Sequence, residues 1–169
     1  MFEQRWGNWY IAYHGTRSRF AVDILTSGLK MSTKGCYYSE GIPRVYVSPS
    51  IEYCAHKRYA IPWSKAEKTG EKRWFQVVLQ CRVNPAAVEK EKPETLLQDD
   101  SKETVTIDPN FTNKELEWVI PGKEGTYFMK EDIICYGLMM RISDIDPANL
   151  PTSAWWTYVH KDVAAMPYD

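Results

Sequence analysis

The sequence predicts an α+β domain with mostly antiparallel β-sheets. Short helical patterns occur early in the chain, whereas the longest strand-like runs come later, and strands and helices do not alternate as a doubly wound parallel sheet requires. The chain has 169 residues, of which 44% are apolar. That length and composition are sufficient for one domain with its own core, so we predict a single domain over residues 1–169.

The first predicted strand and helix follow each other closely. Residues 8–14, NWYIAYH, are typical of a strand, with Trp9, Ile11 and Tyr13 on one face. Residues 19–28, RFAVDILTSG, predict a helix that Ser18 caps and that ends near Gly28.

The same order recurs in the next segment. Residues 44–49, RVYVSP, predict a short strand, and residues 50–60, SIEYCAHKRYA, predict a helix that begins at Ser50. His56 lies inside the charged part of this helix, so we expect it to be exposed to solvent.

The remaining strands lie in the second half of the chain. Residues 73–83 form the longest strand-like run, residues 135–142 predict the last strand, and the charged stretch 86–103 predicts a surface insertion. The tail after residue 142 has an aromatic segment that predicts a short helix. Residues 115–120 predict a further strand that is buried on one face. On this strand Leu116, Trp118 and Ile120 alternate with Glu115, Glu117 and Val119.

Charge, cysteine content and the lengths of the apolar runs indicate which partners and which cellular compartment to expect. With 21 basic and 22 acidic residues the formal net charge is −1, so no basic excess indicates a nucleic-acid phosphate backbone. The N-terminal residues lack the apolar stretch of a secretory signal, and the longest apolar run, 133–140, is too short to span a bilayer. Four cysteines without a CxxC pair predict buried thiols. We expect no membrane association and a cytoplasmic protein or an intracellular domain of a larger one, with a secreted effector as the alternative.

The first candidate functional motif is His14-Gly15-Thr16, at the end of the first strand. Glycine lets a ligand approach the main chain and bond to its N–H and C=O groups, as a planar carboxamide requires. The neighbouring histidine ring offers a nitrogen to a ribose hydroxyl. The structural alternative is a strand-end turn with a half-buried histidine.

The second motif is VYVSPSIEYC, residues 45–54. Tyr46 ends a strand, while Ser50 and Tyr53 are three residues apart and therefore share one face of a helical turn. Two tyrosine rings are able to sandwich a flat heteroaromatic ring, with a serine hydroxyl bonding its amide group. The alternative is that both tyrosines belong to the core.

The third motif is KELEWVI, residues 114–120. A carboxylate at Glu117 that projects into a cleft is suited to hold a sugar hydroxyl and to stabilise an oxocarbenium-like centre. Glu115, two residues earlier, is expected on the same face of the strand. The alternative is a pair of solvated glutamates.

In their order and character the three motifs together resemble the ADP-ribosyltransferases of the His-Tyr-Glu class, which includes the poly(ADP-ribose) polymerases and the diphtheria-toxin group. The resemblance covers approximately residues 8–142, and SPSIEYC is especially close to the polymerase signature. It implies two packed, mostly antiparallel sheets with short helices around an NAD-binding cleft. It also implies transfer of ADP-ribose from NAD+ to an acceptor with release of nicotinamide. The short chain leaves little room for an elongation site, which favours transfer of a single unit.

The resemblance also assigns roles to individual residues. His14 bonds the ribose on the adenosine side, Gly15 holds the carboxamide with Ser50 as a second contact, and Glu117 bonds the 2′-hydroxyl of the nicotinamide ribose. The tyrosines pack on the nicotinamide ring, and the E-x-E spacing of Glu115 is typical of the arginine-modifying branch, where the first glutamate acts on the acceptor. The implied cofactor-binding set is His14, Gly15, Thr16, Tyr46, Ser50 and Tyr53, and the implied catalytic set is Glu117, His14, Tyr46 and Glu115.

Two departures from the family pattern and several alternatives stand beside this hypothesis. The gap between Tyr46 and Tyr53 is shorter than in the polymerases, and the E-x-E spacing is not theirs. A module that binds NAD+ or ADP-ribose without reaction, an NAD+ glycohydrolase and a nucleic-acid ADP-ribosyltransferase remain open. The near-neutral charge favours a protein acceptor, and the balanced charge and the motifs do not favour tRNA 2′-phosphotransferase chemistry. Segments 12–16 and 46–53 also resemble Neuralized-like proteins.

Other cofactors are not predicted. The three histidines lack HExxH spacing, no cysteine cluster suits zinc, and neither GxGxxG nor a P-loop occurs. We therefore expect NAD+ as a co-substrate and no metal.

Overall fold

A computed structural model describes residues 2–31, 38–39, 42–92, 106–122, 129 and 131–147. Its elements in these residues are a few short helices and eight strands that pair antiparallel. The helices are α1 (Phe2–Trp6), α2 (Ser18–Ser27) and α3 (Ile51–Cys54), with a 3₁₀ turn at Asn113–Glu115. The strands are β1 (Tyr10–Thr16), β2 (Tyr38–Ser39), β3 (Ile42–Val47), β4 (Trp63–Ala66), β5 (Lys72–Val83), β6 (Glu89–Lys92), β7 (Glu117–Pro121) and β8 (Ile133–Ser143).

The first sheet is built around the long strand β5. Strand β8 pairs with β5 over 74–83, while β1 pairs over 77–83 and β4 over 72–75. Because β8 runs along nearly the whole of β5, strands β1 and β4 must share the opposite edge. The run of valine, leucine and aromatic residues in β5 is typical of such a central strand, and its residues 76–79 are buried.

The second sheet has the strand order β2-β3-β7-β6, and all its pairs are antiparallel. One backbone bridge joins the two sheets: Tyr13 N–H donates to Ser48 O at 2.7 Å and Ser48 N–H donates to Tyr13 O at 3.0 Å. Apolar side chains from both sheets fill a shared core. It includes Ala12, Leu79, Cys81 and Val83 from the first sheet and Val45, Val47, Trp118 and Ile120 from the second.

The predicted class is confirmed: the described chain is α+β, with antiparallel sheets and few short helices. The strands expected at 73–83 and 135–142 are present in β5 and β8. Helix α2 ends as expected, since Gly28 has a φ of 92° and donates its N–H to Ile24 O. Ser18, however, is the first helical residue, and Arg17 takes the N-cap position.

Two further expectations about local structure are wrong. The helix expected over 50–60 is the single turn α3, after which the chain continues in turns. Within the charged stretch 86–103, residues 89–92 form the edge strand β6, which pairs with β7, and residues 93–103 lie outside the described residues, so the surface insertion stays a prediction. Strand β7 is buried on both faces, since four consecutive residues from Glu117 to Ile120 are buried.

The three described cysteines are free thiols, in agreement with the sequence. Cys54 and Cys81 are buried, and Cys135 is partly buried. The sulfur atoms of Cys81 and Cys135 lie 3.1 Å apart across β5 and β8. Cys36 and the predicted helix in the tail beyond residue 147 lie outside the described residues. Within those residues no helix is long and apolar enough to cross a membrane.

Candidate functional site

The histidine of the first motif is held by the strand that carries the second motif. His14 lies near the end of β1, and its Nδ1 is 2.9 Å from the carbonyl oxygen of Tyr46 in β3. A carbonyl only accepts, so Nδ1 carries the proton and Nε2 of the neutral ring is an acceptor. Burial lowers the pKa of His14, and the bond to Tyr46 opposes this in part. The ring is therefore neutral at pH 7 and is suited to accept a hydroxyl proton at Nε2.

Gly15 is packed against the backbone that follows α3. A Cβ atom at this position would lie 2.3 Å from Cys54 O and 2.7 Å from Tyr59 Cβ. Tyr13 exchanges two backbone hydrogen bonds with Ser48 at the edge of β1 that faces away from β5. Since alternate residues of a strand point their backbone groups to the same edge, the N–H and C=O of Gly15 also point away from β5. Glycine is therefore required by packing as well as being suited to a ligand at this edge.

Ser50 lies at the N-terminal end of α3 and joins it to a distant segment. Its Oγ donates to Oδ2 of Asp108 at 2.6 Å and accepts from the N–H of Tyr53 at 3.2 Å. Ser50 and Asp108 are 1% and 4% exposed. Oδ1 of Asp108 accepts two bonds from Asn110, from the backbone N–H at 2.9 Å and from Nδ2 at 3.0 Å. The serine proton is thus committed to a buried carboxylate.

Tyr53 connects α3 to the glutamate of the third motif. Its hydroxyl donates to Oε2 of Glu117 at 2.9 Å, and Tyr53 is 3% and Glu117 is 4% exposed. The hydroxyl of Tyr59 is 3.0 Å from that of Tyr53, and the two ring centroids are 5.3 Å apart. The ring of Tyr53 therefore packs on Tyr59, and a ligand ring held between Tyr46 and Tyr53 stays a prediction. Tyr46 is half-buried in β3, opposite Val119 of β7.

Glu115 does not share a strand face with Glu117, which corrects the sequence expectation. It ends the 3₁₀ turn and is exposed, and β7 begins only at Glu117. Its Oε2 accepts from the N–H of Thr112 at 2.9 Å and from Oγ1 of Thr112 at 2.7 Å. These two bonds lower the pKa of Glu115. The carboxylate thus closes the turn that leads into β7.

Buried polar residues fix the segment between α3 and β4. Nε2 of Gln76 donates to Ala55 O at 3.0 Å and to Ala60 O at 2.9 Å. His56 is 6% exposed, which contradicts the expectation that it faces solvent. Burial, together with Lys57 and Arg58, lowers the pKa of His56 to about 4. Both side chains support the turns that carry Tyr59.

The thiol of Cys54 lies beside the same backbone edge. Sγ of Cys54 donates to Tyr13 O at 3.0 Å. Burial is the main reason that the pKa of Cys54 is raised to about 12; backbone bonds from Gly15 and Ser48 oppose the rise, and the charge of Glu117 adds a smaller part to it. Cys54 is therefore a neutral thiol at pH 7 and is not suited to act as a nucleophile.

The structure brings residues of the three sequence motifs into one network. His14 bonds to the strand of Tyr46, Gly15 packs on the turn after α3, and Tyr53 bonds to Glu117. Thr16, at the end of β1, is buried. Sequence reasoning missed Tyr59 and Asp108. Tyr59 follows Tyr53 by six residues in HKRYA, whereas Asp108, in TIDPNF, gives no local signal because its partner is 58 residues away.

The described residues contain no group of three or more metal-ligating side chains. Comparisons of the chain with protein-family models, curated proteins and solved structures found no match. The chemistry of the site is therefore argued from its own residues and geometry.

Proposed function

We propose that this chain is an NAD+-dependent ADP-ribosyltransferase that transfers a single ADP-ribose unit to a protein acceptor. The observation that carries the proposal is the contact between Tyr53 and Glu117, in which a tyrosine of the SPSIEYC signature donates at 2.9 Å to the glutamate of KELEWVI. These residues are 64 positions apart in the sequence. The second and third sequence motifs, each of which suits part of NAD+ on its own, are thus in direct contact.

The contacts fit the roles that the resemblance implies. A neutral His14 ring with Nδ1 bonded to Tyr46 O presents Nε2 to a ribose hydroxyl. Gly15 directs its N–H and C=O to one edge of β1, where its backbone also bonds the Cys54 thiol, so a carboxamide that binds there must displace this contact. The hydroxyl of Tyr53 donates to Oε2 of Glu117 at 2.9 Å and so orients the carboxylate that the resemblance assigns to the 2′-hydroxyl of the nicotinamide ribose.

In the proposed reaction the bond between the ribose C1′ and the nicotinamide nitrogen breaks, and its electron pair leaves with neutral nicotinamide. The carboxylate of Glu117 stabilises the positive charge that develops at C1′. A nucleophilic atom of the acceptor then forms a bond to C1′ and releases its proton. Because nicotinamide in NAD+ is already a good leaving group, the site needs no strong acid. It must instead hold the dinucleotide and exclude water.

A second candidate is a module that binds NAD+ or ADP-ribose without reaction. The observation that favours it is the burial of Glu117, which is 4% exposed and already accepts the hydroxyl of Tyr53. A carboxylate in this position is able to serve as a structural acceptor. Hydrolysis of NAD+ and transfer to a nucleic acid differ from the first candidate only in the acceptor, and the net charge of −1 favours a protein acceptor.

The test is nicotinamide release from NAD+ by the wild type, by Glu117→Gln and by the control Glu71→Gln. Glutamine keeps an oxygen for the Tyr53 hydroxyl but removes the charge. We expect Glu117→Gln to lower kcat by about 100-fold or more while the Kd for NAD+ stays within about threefold. Glu71 is exposed in the turn between β4 and β5, so Glu71→Gln should behave as wild type.

The products separate the alternatives. An ADP-ribose mass increment on proteins of an added cell lysate supports transfer, and free ADP-ribose alone indicates hydrolysis. NAD+ binding without nicotinamide release favours the binding module. A wild type that neither binds NAD+ nor releases nicotinamide contradicts the proposal.

A further inference from the structure

We propose that Asp108 is a positioning residue that fixes the hydrogen-bonding role of Ser50, and that it makes the site select the carboxamide form of the dinucleotide over the carboxylate form. The inference rests on the proposed function. Asp108 lies outside all three sequence motifs. The carboxamide form of the dinucleotide is NAD+, and the carboxylate form is nicotinic acid adenine dinucleotide.

The hydroxyl group of Ser50 has one proton and two lone pairs. A carboxylate only accepts, so the 2.6 Å contact with Oδ2 of Asp108 uses the proton. The N–H of Tyr53, at 3.2 Å, uses one lone pair. Ser50 therefore has only a lone pair left for a ligand.

Ser50 is one helical turn from the backbone on which Gly15 packs. Cys54 N–H donates to Ser50 O at 3.3 Å, and Cys54 O is the atom closest to a Cβ built at Gly15. In the proposed site the pyridine substituent lies between the edge of Gly15 and Ser50 Oγ, which is an acceptor backed by a buried carboxylate. A carboxamide offers N–H donors to that acceptor. A carboxylate offers none, and its charge is repelled by Asp108.

The substitution Asp108→Asn has a defined effect on this network. Two donors of Asn110 point at Oδ1, so the new side chain must place its oxygen there and its NH₂ group toward Ser50. The NH₂ group donates to Ser50 Oγ, and the serine proton must then turn toward the ligand. One nearly isosteric change thus removes the charge and reverses the hydroxyl.

The experiment compares kcat/KM for NAD+ and for nicotinic acid adenine dinucleotide, using the full chain of the wild type, of Asp108→Asn and of Asp144→Asn. The control residue is exposed, with its side chain 86% accessible. We expect Asp108→Asn to reduce the preference for NAD+ by about tenfold or more, and Asp144→Asn to leave it unchanged. A purely structural role of Asp108 lowers both values equally. An unchanged ratio therefore overturns the inference.

A second variant covers the possibility that Asp108→Asn fails to fold. Ser50→Ala has no hydroxyl to orient, so it should also lose most of the preference for NAD+. A folded Ser50→Ala protein with the wild-type ratio overturns the inference. If the wild type binds NAD+ without turnover, the ratio of the two Kd values is measured instead. A wild type that binds neither dinucleotide overturns the proposed function and this inference together, whereas NAD+ turnover with an unchanged ratio in Asp108→Asn overturns the inference alone.

Discussion

The substitution Gly15→Ala tests the close approach between β1 and the turn after α3. Gly15 is not among the described glycines with positive φ, which are Gly28 and Gly70, so alanine suits its backbone conformation. The added methyl group would lie 2.3 Å from Cys54 O, 2.7 Å from Tyr59 Cβ and 3.0 Å from Ala60 N. Ordinary contact begins at 3.4 Å, so Cys54 O must move by about 1.1 Å.

That movement is opposed because Gln76 holds the same turn through two buried hydrogen bonds. Overpacking of this kind typically costs about 1–3 kcal/mol. Replacing glycine by alanine restricts the unfolded chain and returns about 0.4–1 kcal/mol. The two terms leave a net loss of about 0–2.6 kcal/mol in the free energy of unfolding. Because the clash is with backbone that Gln76 holds, we expect the upper part of this range, roughly 1–2.6 kcal/mol, which corresponds to a fall in Tm of roughly 2–10 °C for a chain of this size.

The assay is urea unfolding followed by tryptophan fluorescence, with Gly137→Ala as the matched control. Gly137 is also a strand glycine of the first sheet, but its nearest neighbours are side-chain atoms of Gln80 at 3.1 Å. Gly137→Ala should shift the midpoint less than Gly15→Ala. If Gly15→Ala is as stable as the wild type, or no less stable than Gly137→Ala, the reasoning about tight packing at Gly15 is refuted.

Two further predictions concern buried polar side chains. Gln76→Leu leaves the carbonyls of Ala55 and Ala60 without their donor and should lower the free energy of unfolding by roughly 2–4 kcal/mol; an unchanged urea midpoint contradicts this. Because burial lowers the pKa of His56 from 6.5 to about 4, its contribution is present above pH 6.5 and is lost as pH falls toward 4. The free energy of unfolding of the wild type and of His56→Gln is measured at pH 7 and at pH 4.5. We expect the wild type to lose up to about 3 kcal/mol more than His56→Gln between the two pH values. An equal loss in the wild type and in His56→Gln contradicts this role of His56.

The parts of the fold that were predictable have local causes. Strand β5 follows from its many aromatic and β-branched residues, and the end of α2 follows from Gly28, whose φ of 92° suits glycine. The extent of α3 was not predictable in this way, because Gln76 and the packing on Gly15 hold residues 55–60 in turns. Here tertiary contacts outweigh helical propensity.

The candidate site shows the same division. The motifs around His14, Ser50 and Glu117 were visible in the sequence because each combines a functional side chain with a strand or turn signal. The burial of His56 was not visible, since its neighbours Lys57 and Arg58 indicate a solvated face. Glu115 was misplaced because alternation alone does not show that the strand begins only at Glu117.

The contacts that build the site have a consequence for how it forms. The hydrogen bonds of His14 with Tyr46, of Ser50 with Asp108 and of Tyr53 with Glu117 span 32, 58 and 64 residues. Each closes a long loop, so each is entropically costly until the intervening strands have paired. The site should therefore form late in folding, and the shortest fragment able to assemble it must reach from β1 through β7.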